Sequence, residues 1–207
     1  MNYTRSVAVS SIVGHILGIG DRHCKNILLH EKTGAVVHID FGIVFEQGKL
    51  LSKPERVPFR LTRNVIDGMG PSGTEGTFVS SAEETIQVLR KNTGALLTIL
   101  SAVVEDPLYR WNLTPAEARE RQAQDEFDEV KGIGAGKAHA LAASLFPTDQ
   151  NKAAAMAIGK IKAKLQGYED STSGEQHGEL GQVLLLVNSA RDADNLCKMF
   201  VGWMPWV

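Results

Sequence analysis

The chain has 207 residues, enough for one ordinary domain or a domain with a small appendage. Hydrophobic residues at 43% and charged residues at 22% supply a core and exclude wholesale disorder. Lys and Arg total 22 against 24 Asp and Glu, a net charge of -2 that fits neither a polybasic nucleic-acid binder nor an acidic tail. The two cysteines, Cys24 and Cys197, match no disulfide or metal-ligand spacing, which points to a reducing compartment. Met1 to Arg5 lacks the apolar run of a signal peptide, and Ala95 to Val104, broken by Thr98 and Ser101, falls short of a membrane span. The expectation is a soluble intracellular protein, or a piece of one, with no transmembrane segment.

In chain order, Val7, Ile12, Val13, Ile16 and Leu17 have helical spacing, and the pattern stops at Gly18 and Gly20. A polar knot follows, Gly20-Asp21-Arg22-His23-Cys24-Lys25-Asn26. Ile27 to Leu29 and Ala35 to Ile39 read as two strands joined by a loop with a turn-forming Gly34, and the second runs into Asp40-Phe41-Gly42. Ile43 to Arg63, with Pro54 and Pro58, has little periodicity and reads as a long ordered loop. Helices are expected over Ala82 to Asn92 and over Ala95 to Glu105, the second closed by Asp106-Pro107. Asn112 to Pro147 has the composition of exposed helix or linker, Asn151 to Gly167 reads as an amphipathic helix, and Tyr168 to Glu179 as a polar flexible stretch. A last element begins at Leu180 and runs to Trp203-Met204-Pro205-Trp206-Val207.

The chemistry lies between Gly20 and Gly42. Phosphoryl transfer to a hydroxyl needs a carboxylate that orients and deprotonates the acceptor, with oxygen ligands for the magnesium on the nucleotide phosphates. Protein kinases place the base Asp five residues before a metal-binding Asn, and a second metal-binding Asp opens an Asp-Phe-Gly triplet soon afterwards. Asp21 and Asn26 have that offset, and folding the hairpin brings Asp40 back beside Asn26. The order Asp21-Arg22-His23 inverts the usual His-Arg-Asp, leaving His23 where it can approach the transferring phosphate.

This inverted order, with Val37-His38-Ile39-Asp40-Phe41-Gly42, resembles the phosphatidylinositol-3-kinase superfamily. Tyr3-Thr4-Arg5-Ser6-Val7-Ala8, Ser10 to Gly14, Phe45-Glu46-Gln47-Gly48-Lys49, Val57-Pro58-Phe59-Arg60-Leu61-Thr62-Arg63 and Asp67-Gly68-Met69-Gly70 are similar to its large protein-directed members, the phosphatidylinositol-3-kinase-related protein serine/threonine kinases. Gly181-Gln182-Val183 through Phe200-Val201-Gly202-Trp203-Met204-Pro205-Trp206-Val207 resembles the FATC domain that closes them.

The resemblance implies an α+β, mostly α, fold. Residues 1–111 would be a kinase C-lobe with catalytic loop 20–26 and activation loop 40–63, 112–174 a variable regulatory segment, and 175–207 the FATC domain. It implies Asp21 as catalytic base and His23 as stabiliser of the phosphoryl group. Asn26 and Asp40 would hold magnesium, or manganese in its place, and Leu28 and Ile39 would floor the adenine of ATP. Phe41 and Gly42 would open the activation loop, whose Pro58, Phe59 and Arg60 end would face the peptide. The substrates implied are proteins with Ser/Thr-Gln sites, in DNA-damage signalling in the nucleus, with the cytoplasm as a second location and a DNA-damage sensor complex as partner. No direct nucleic-acid site is evident.

A kinase N-lobe supplies the phosphate-covering loop and a lysine that pairs with the phosphates. Only one helix precedes Asp21, so the resemblance implies a C-lobe piece whose N-lobe and helical repeats lie elsewhere in a parent kinase. These residues alone are expected to bind ATP weakly and to have negligible activity. Two other classes stay open: a lipid kinase of the same superfamily, disfavoured by Glu46 and Glu55 among Lys49, Lys53 and Arg56, and a non-catalytic interaction module.

Blander readings apply elsewhere. His15, His23, His30 and His38 fit no zinc spacing, and His38 on an apolar strand reads as structural. Cys24 reads as a small core-filling thiol. Val130 to Ala138 resembles a helix-hairpin-helix turn, but Phe127-Asp128-Glu129 puts acid beside it. It is not a P-loop, because Lys131 and Ala138 stand where Gly and Ser/Thr are needed. Trp203 and Trp206 are expected to dock on the C-lobe near the activation loop.

Overall fold

The structure is a computed structural model that describes residues 1–104, 147–169 and 174–204. It is mostly helical with one two-stranded sheet. The first helix, α1 (Asn2–Leu17), buries Val7, Ala8, Ile12 and Ile16, a stripe at helical spacing. It stops where the glycines predicted: Gly18 is left-handed (φ 62), and Ile19 N–H reaches back to Gly14 O at 2.8 Å. A Cβ on Gly18 would lie 2.4 Å from the Glu46 nitrogen, so both conformation and crowding demand glycine.

A one-turn 3₁₀ helix (Cys24–Asn26) leads into β1 (Ile27–Leu29), which pairs antiparallel with β2 (Val36–His38). The register places Ile27 opposite His38, Leu28 opposite Val37 and Leu29 opposite Val36. Gly34 turns the chain at φ 68, and His30 N–H closes the loop on Ala35 O at 2.8 Å. The hairpin is fastened to α1 by Val36 N–H on Ser6 Oγ at 2.8 Å.

From Ile43 to Thr62 the chain is irregular apart from a 3₁₀ turn (Gln47–Leu50), and then enters α2 (Arg63–Asp67). α3 (Thr77–Lys91) begins five residues before the Ala82 expected from the sequence and buries Phe78, Ala82 and Ile86, each one turn apart. α4 (Thr93–Val104) follows; the Asp106-Pro107 stop lies outside the described residues. α5 (Pro147–Leu165) starts earlier than Asn151 and ends near the expected Gly167. In the stretch after it Tyr168 is bridged to Gln176.

The last element is three pieces, not one: α6 (Glu179–Ala190), α7 (Ala193–Leu196) and a 3₁₀ turn (Val201–Trp203). Asp192 causes the break, its carboxylate capping Asn195 N–H at 2.9 Å to start a new helix. A single core joins α1, α3, α5 and α6 through residues such as Ile12, Phe78, Ile161 and Val183, so the FATC-like helix packs into the same interior as the first helix. The Val130–Ala138 segment and Trp206 lie outside the described residues.

Candidate active site

The loop Gly20–Asn26 leaves α1 with a backbone few side chains tolerate. Asp21 has φ 57 and, across the hairpin, Asp40 has φ 54, both left-handed without being glycine. Asn26 is buried and turns its amide inward: Nδ2 donates to the Asp21 carbonyl at 2.9 Å and to Asp21 Oδ2 at 3.3 Å. That assignment directs Asn26 Oδ1, its one acceptor atom, elsewhere. The ladder continues past β2, with Ile39 N–H on Asn26 O at 3.0 Å, so Asp40 follows the residue paired to Asn26. The sequence-predicted juxtaposition of Asp21, Asn26 and Asp40 is thus present in the backbone pairing.

His23 is buried, and its Nδ1 accepts Lys25 N–H at 3.2 Å. A neutral ring accepting at Nδ1 carries its proton on Nε2, and Nε2 lies 3.8 Å from Asp21 Oδ1. Asp40 Oδ1 accepts Gly42 N–H at 2.9 Å, an Asx turn that sets the course of the chain beyond Phe41. Leu28 and Val37 are cross-strand partners and Ile39 lies two residues on, so all three share one face of the hairpin. That face is open: Leu28 is 48%, Val37 45% and Ile39 39% exposed.

Two residues that motif reading passed over hold this loop. Arg22 is buried; its Nε donates to Gly20 O and its Nη1 to Ile39 O, each at 2.7 Å, while Nη2 donates to Asp40 O. Phe41 stacks over the guanidinium at 5.8 Å. Glu55 accepts Asp21 N–H on Oε1 at 2.6 Å. Burial of its carboxylate pushes Glu55 up to about 7, against the pull of that N–H and with the charge of Asp21 adding to the rise. His38, the structural histidine of β2, is held down to about 4 by burial and by the Arg22 charge. The signal for Arg22 was only its place inside the motif, and Glu55, in an aperiodic Pro-containing stretch, gave none.

The far end of the segment differs from expectation. Phe59 is 5% exposed and belongs to the main core, and Arg60 is also 5% exposed. Their side chains face inward, leaving the part-buried Pro58 nearer the surface. Arg60 packs under Trp203 at 5.5 Å and its Nη2 donates to Met204 O at 3.5 Å. Trp203 itself is 2% exposed and clusters with Met199, Phe200 and Val57, so it packs against the irregular segment between Ile43 and Thr62. Cys24 does not fill the core: it is exposed, with Sγ 3.7 Å from Met204 O.

Behind the loop lies a buried ionic network. Glu46, left-handed at φ 64, receives Lys164 on Oε1 at 2.9 Å and Lys160 on Oε2 at 3.0 Å. Burial works to raise the Glu46 carboxyl, but the lysines overcome it and hold the group far below the usual carboxylate range. Lys164, burial-dominated, sits below the ordinary lysine range even so. It also donates to His15 O at 2.7 Å, and His15 pairs with Glu169 at 2.8 Å. Gln182 completes the chain of contacts, donating to Lys164 O at 2.9 Å and to Glu169 Oε1, so α1, the activation segment, α5 and α6 meet here.

Comparison with known proteins bears on what this arrangement is. The sequence model described as phosphatidylinositol 3- and 4-kinase matches residues 1–113. The chain belongs to that family. A FATC domain model matches residues 181–207. The chain is 48% identical over 206 residues to the serine/threonine-protein kinase ATM of Arabidopsis thaliana, covering 99% of the chain and 5% of that relative. To the serine-protein kinase ATM of Sus scrofa it is 44% identical over 208 residues, covering 99% and 7%. The TEL1 kinase of Candida albicans is 39% identical over 206 residues, covering 100% and 6%. The chain therefore spans 5–7% of the length of these relatives. Among solved structures, the FAT and kinase domain of CtTel1 superposes with a TM-score of 0.74 at 37% identity, covering 100% of this chain and 12% of that one. Within the family the likeness is to its ATM and Tel1 protein kinases. No helix among the described residues is long and apolar enough to cross a membrane.

Proposed function

We propose that these residues carry the phosphoryl-transfer centre of a protein serine/threonine kinase, acting on Ser/Thr-Gln sites with ATP. The supporting observation is the meeting of Asp21, Asn26 and Asp40: Asn26 bonds Asp21 directly, and its carbonyl takes the N–H of the residue before Asp40. The relatives' names as serine/threonine-protein kinases give the reaction class.

In this reading Asp21 orients the substrate hydroxyl and accepts its proton, from a carboxylate whose backbone is fixed on both sides. His23, with a ring proton on Nε2, lends a hydrogen bond to charge developing on the transferred group. The donor set of Asn26 and Asp40 is hard oxygen and small in number, which suits magnesium, or manganese, shared with substrate phosphates. Asn26 and Asp40 would hold the metal, which would supply positive charge against the phosphates of the nucleotide. Leu28 and Ile39, on one open apolar face, offer a floor for adenine. Family resemblance assigns the work to DNA-damage signalling in the nucleus.

The test exchanges this chain for the matching segment of the Arabidopsis relative and follows transfer of phosphate from ATP to a Ser-Gln peptide. The expected result is transfer that Asp21→Ala or Asp40→Ala lowers by about 10²–10⁴-fold. A Ser-Gln-directed activity that survives Asp21→Ala would overturn the assignment. The chain assayed by itself is expected to show negligible transfer.

A further inference from the structure

Glu55 lies fifteen residues beyond Asp40, in the irregular segment, yet its carboxylate ends at the backbone of Asp21. At the left-handed turn (Asp21 φ 57) the Asp21 amide donates to Glu55 Oε1 at 2.6 Å. The other carboxylate oxygen occupies space that only glycine leaves. A Cβ on Gly48 would fall 1.9 Å from Glu55 Oε2, and one on Gly20 would fall 2.5 Å from it. Glu55 N–H is in turn held by Gly48 O at 3.1 Å.

From this geometry we infer that Glu55 is a positioning residue for Asp21: its carboxylate holds the catalytic loop in the turn that aims the base, and makes that turn depend on the conformation of the segment after Asp40. The inference rests on the reading of Asp21 as the base. Glu55 reaches Asp21 through the main chain and acts from behind it. A left-handed non-glycine residue is strained and persists only where its surroundings over-determine it. Without the carboxylate the Asp21 N–H loses its acceptor, and Asn26 on the Asp21 carbonyl is left to hold that main chain. Leu28 and Ile39 belong to the hairpin, fastened to α1 through Val36 and Ser6, so the nucleotide floor is expected to stay in place. A base displaced by about 1 Å loses roughly 10²-fold in rate.

The experiment uses the same exchange into the Arabidopsis relative, with Glu55→Ala, Glu55→Gln and Glu55→Asp, measuring kcat and KM for ATP separately. Glu55→Ala is expected to lower kcat by about 10²-fold with KM within twofold. Glu55→Gln, whose amide oxygen still accepts the Asp21 N–H, should recover most of it. In the 207-residue chain itself, hydrogen exchange should speed up across residues 20–26 in Glu55→Ala and stay unchanged in α1 and α3. A wild-type kcat in Glu55→Ala, or a raised KM at unchanged kcat, overturns the inference, as does failure of Gln to rescue. If Glu55→Ala does not fold, Glu55→Asp decides: withdrawn by one methylene, it should lower kcat by about tenfold, and a wild-type kcat there overturns the inference equally. An inactive Asp21→Ala beside a fully active Glu55→Ala sinks the positioning role alone, whereas an active Asp21→Ala sinks the reading beneath it.

Discussion

Arg22 reaches Asp40 through its main chain: the Arg22 guanidinium donates to the Asp40 carbonyl while two more of its nitrogens hold the Gly20 and Ile39 carbonyls. One buried side chain thereby spans both ends of the hairpin and fixes how far the two aspartates stand apart. Lysine has one ammonium and cannot serve three acceptors set around a planar fork. Arg22→Lys should cost roughly 2–3 kcal/mol, read from urea midpoints, with kinase activity in the exchanged relative falling alongside. A stability within 0.5 kcal/mol of wild type, about the scatter of surface changes, would contradict this.

Gly48→Ala tests the slot that admits Glu55. The new methyl would meet the carboxylate at 1.9 Å, so the side chain must withdraw or the segment shift. The expected loss is about 1–3 kcal/mol. Removing the carboxylate should relieve it, so in a Glu55→Ala background the same change should cost less than half as much. Simple additivity in that double-mutant cycle would show that the clash lies elsewhere.

Glu46 sets the acid response. Its carboxyl is depressed in the folded state relative to the unfolded chain, so the stability it contributes is present above about pH 4.5 and drains away as pH falls below that. Glu46→Gln leaves Lys164 buried without its anionic partner and should cost roughly 3 kcal/mol near neutrality. The variant should also show a shallower decline below about pH 4.5 than the wild type, the remainder coming from Glu169, whose carboxyl is likewise held low, against burial, by its bond to His15. Urea midpoints followed from about pH 7 to pH 3 check both parts, and parallel profiles for the two proteins would refute the second.

Trp203 couples the C-terminal block to the segment that holds Val57 and Arg60. It is 2% exposed, and its ring covers the Arg60 guanidinium at 5.5 Å. Trp203→Ala should destabilise by about 3–5 kcal/mol, since it opens a cavity and uncovers a buried cation. Trp203→Phe keeps a ring face over Arg60 and should cost about half that or less. Equal losses in thermal or urea unfolding would mean that a feature particular to the indole, and not a ring face over Arg60, is what matters.

Much of the site was legible because its signals are local. The offset from Asp21 to Asn26, the hairpin that returns the chain, and Asp40-Phe41-Gly42 follow from spacing and turn chemistry alone. The stop of α1 at Gly18 was legible for the same reason. Helix starts were less so: α3 begins at Thr77 because Phe78 is pulled into the core, which no local propensity records.

What the sequence by itself determined, then, is which residues could do chemistry and which strands and helices carry them, because periodicity and turn residues act over a few positions. Tertiary structure alone decided what holds them. Glu55 meets Asp21 across 34 positions, Lys160 meets Glu46 across 114 and Arg60 meets Met204 across 144. A charged residue in an aperiodic segment looks solvated when read along the chain. Only the packing of distant elements removes it from water, and burial then makes a hydrogen-bonded partner obligatory.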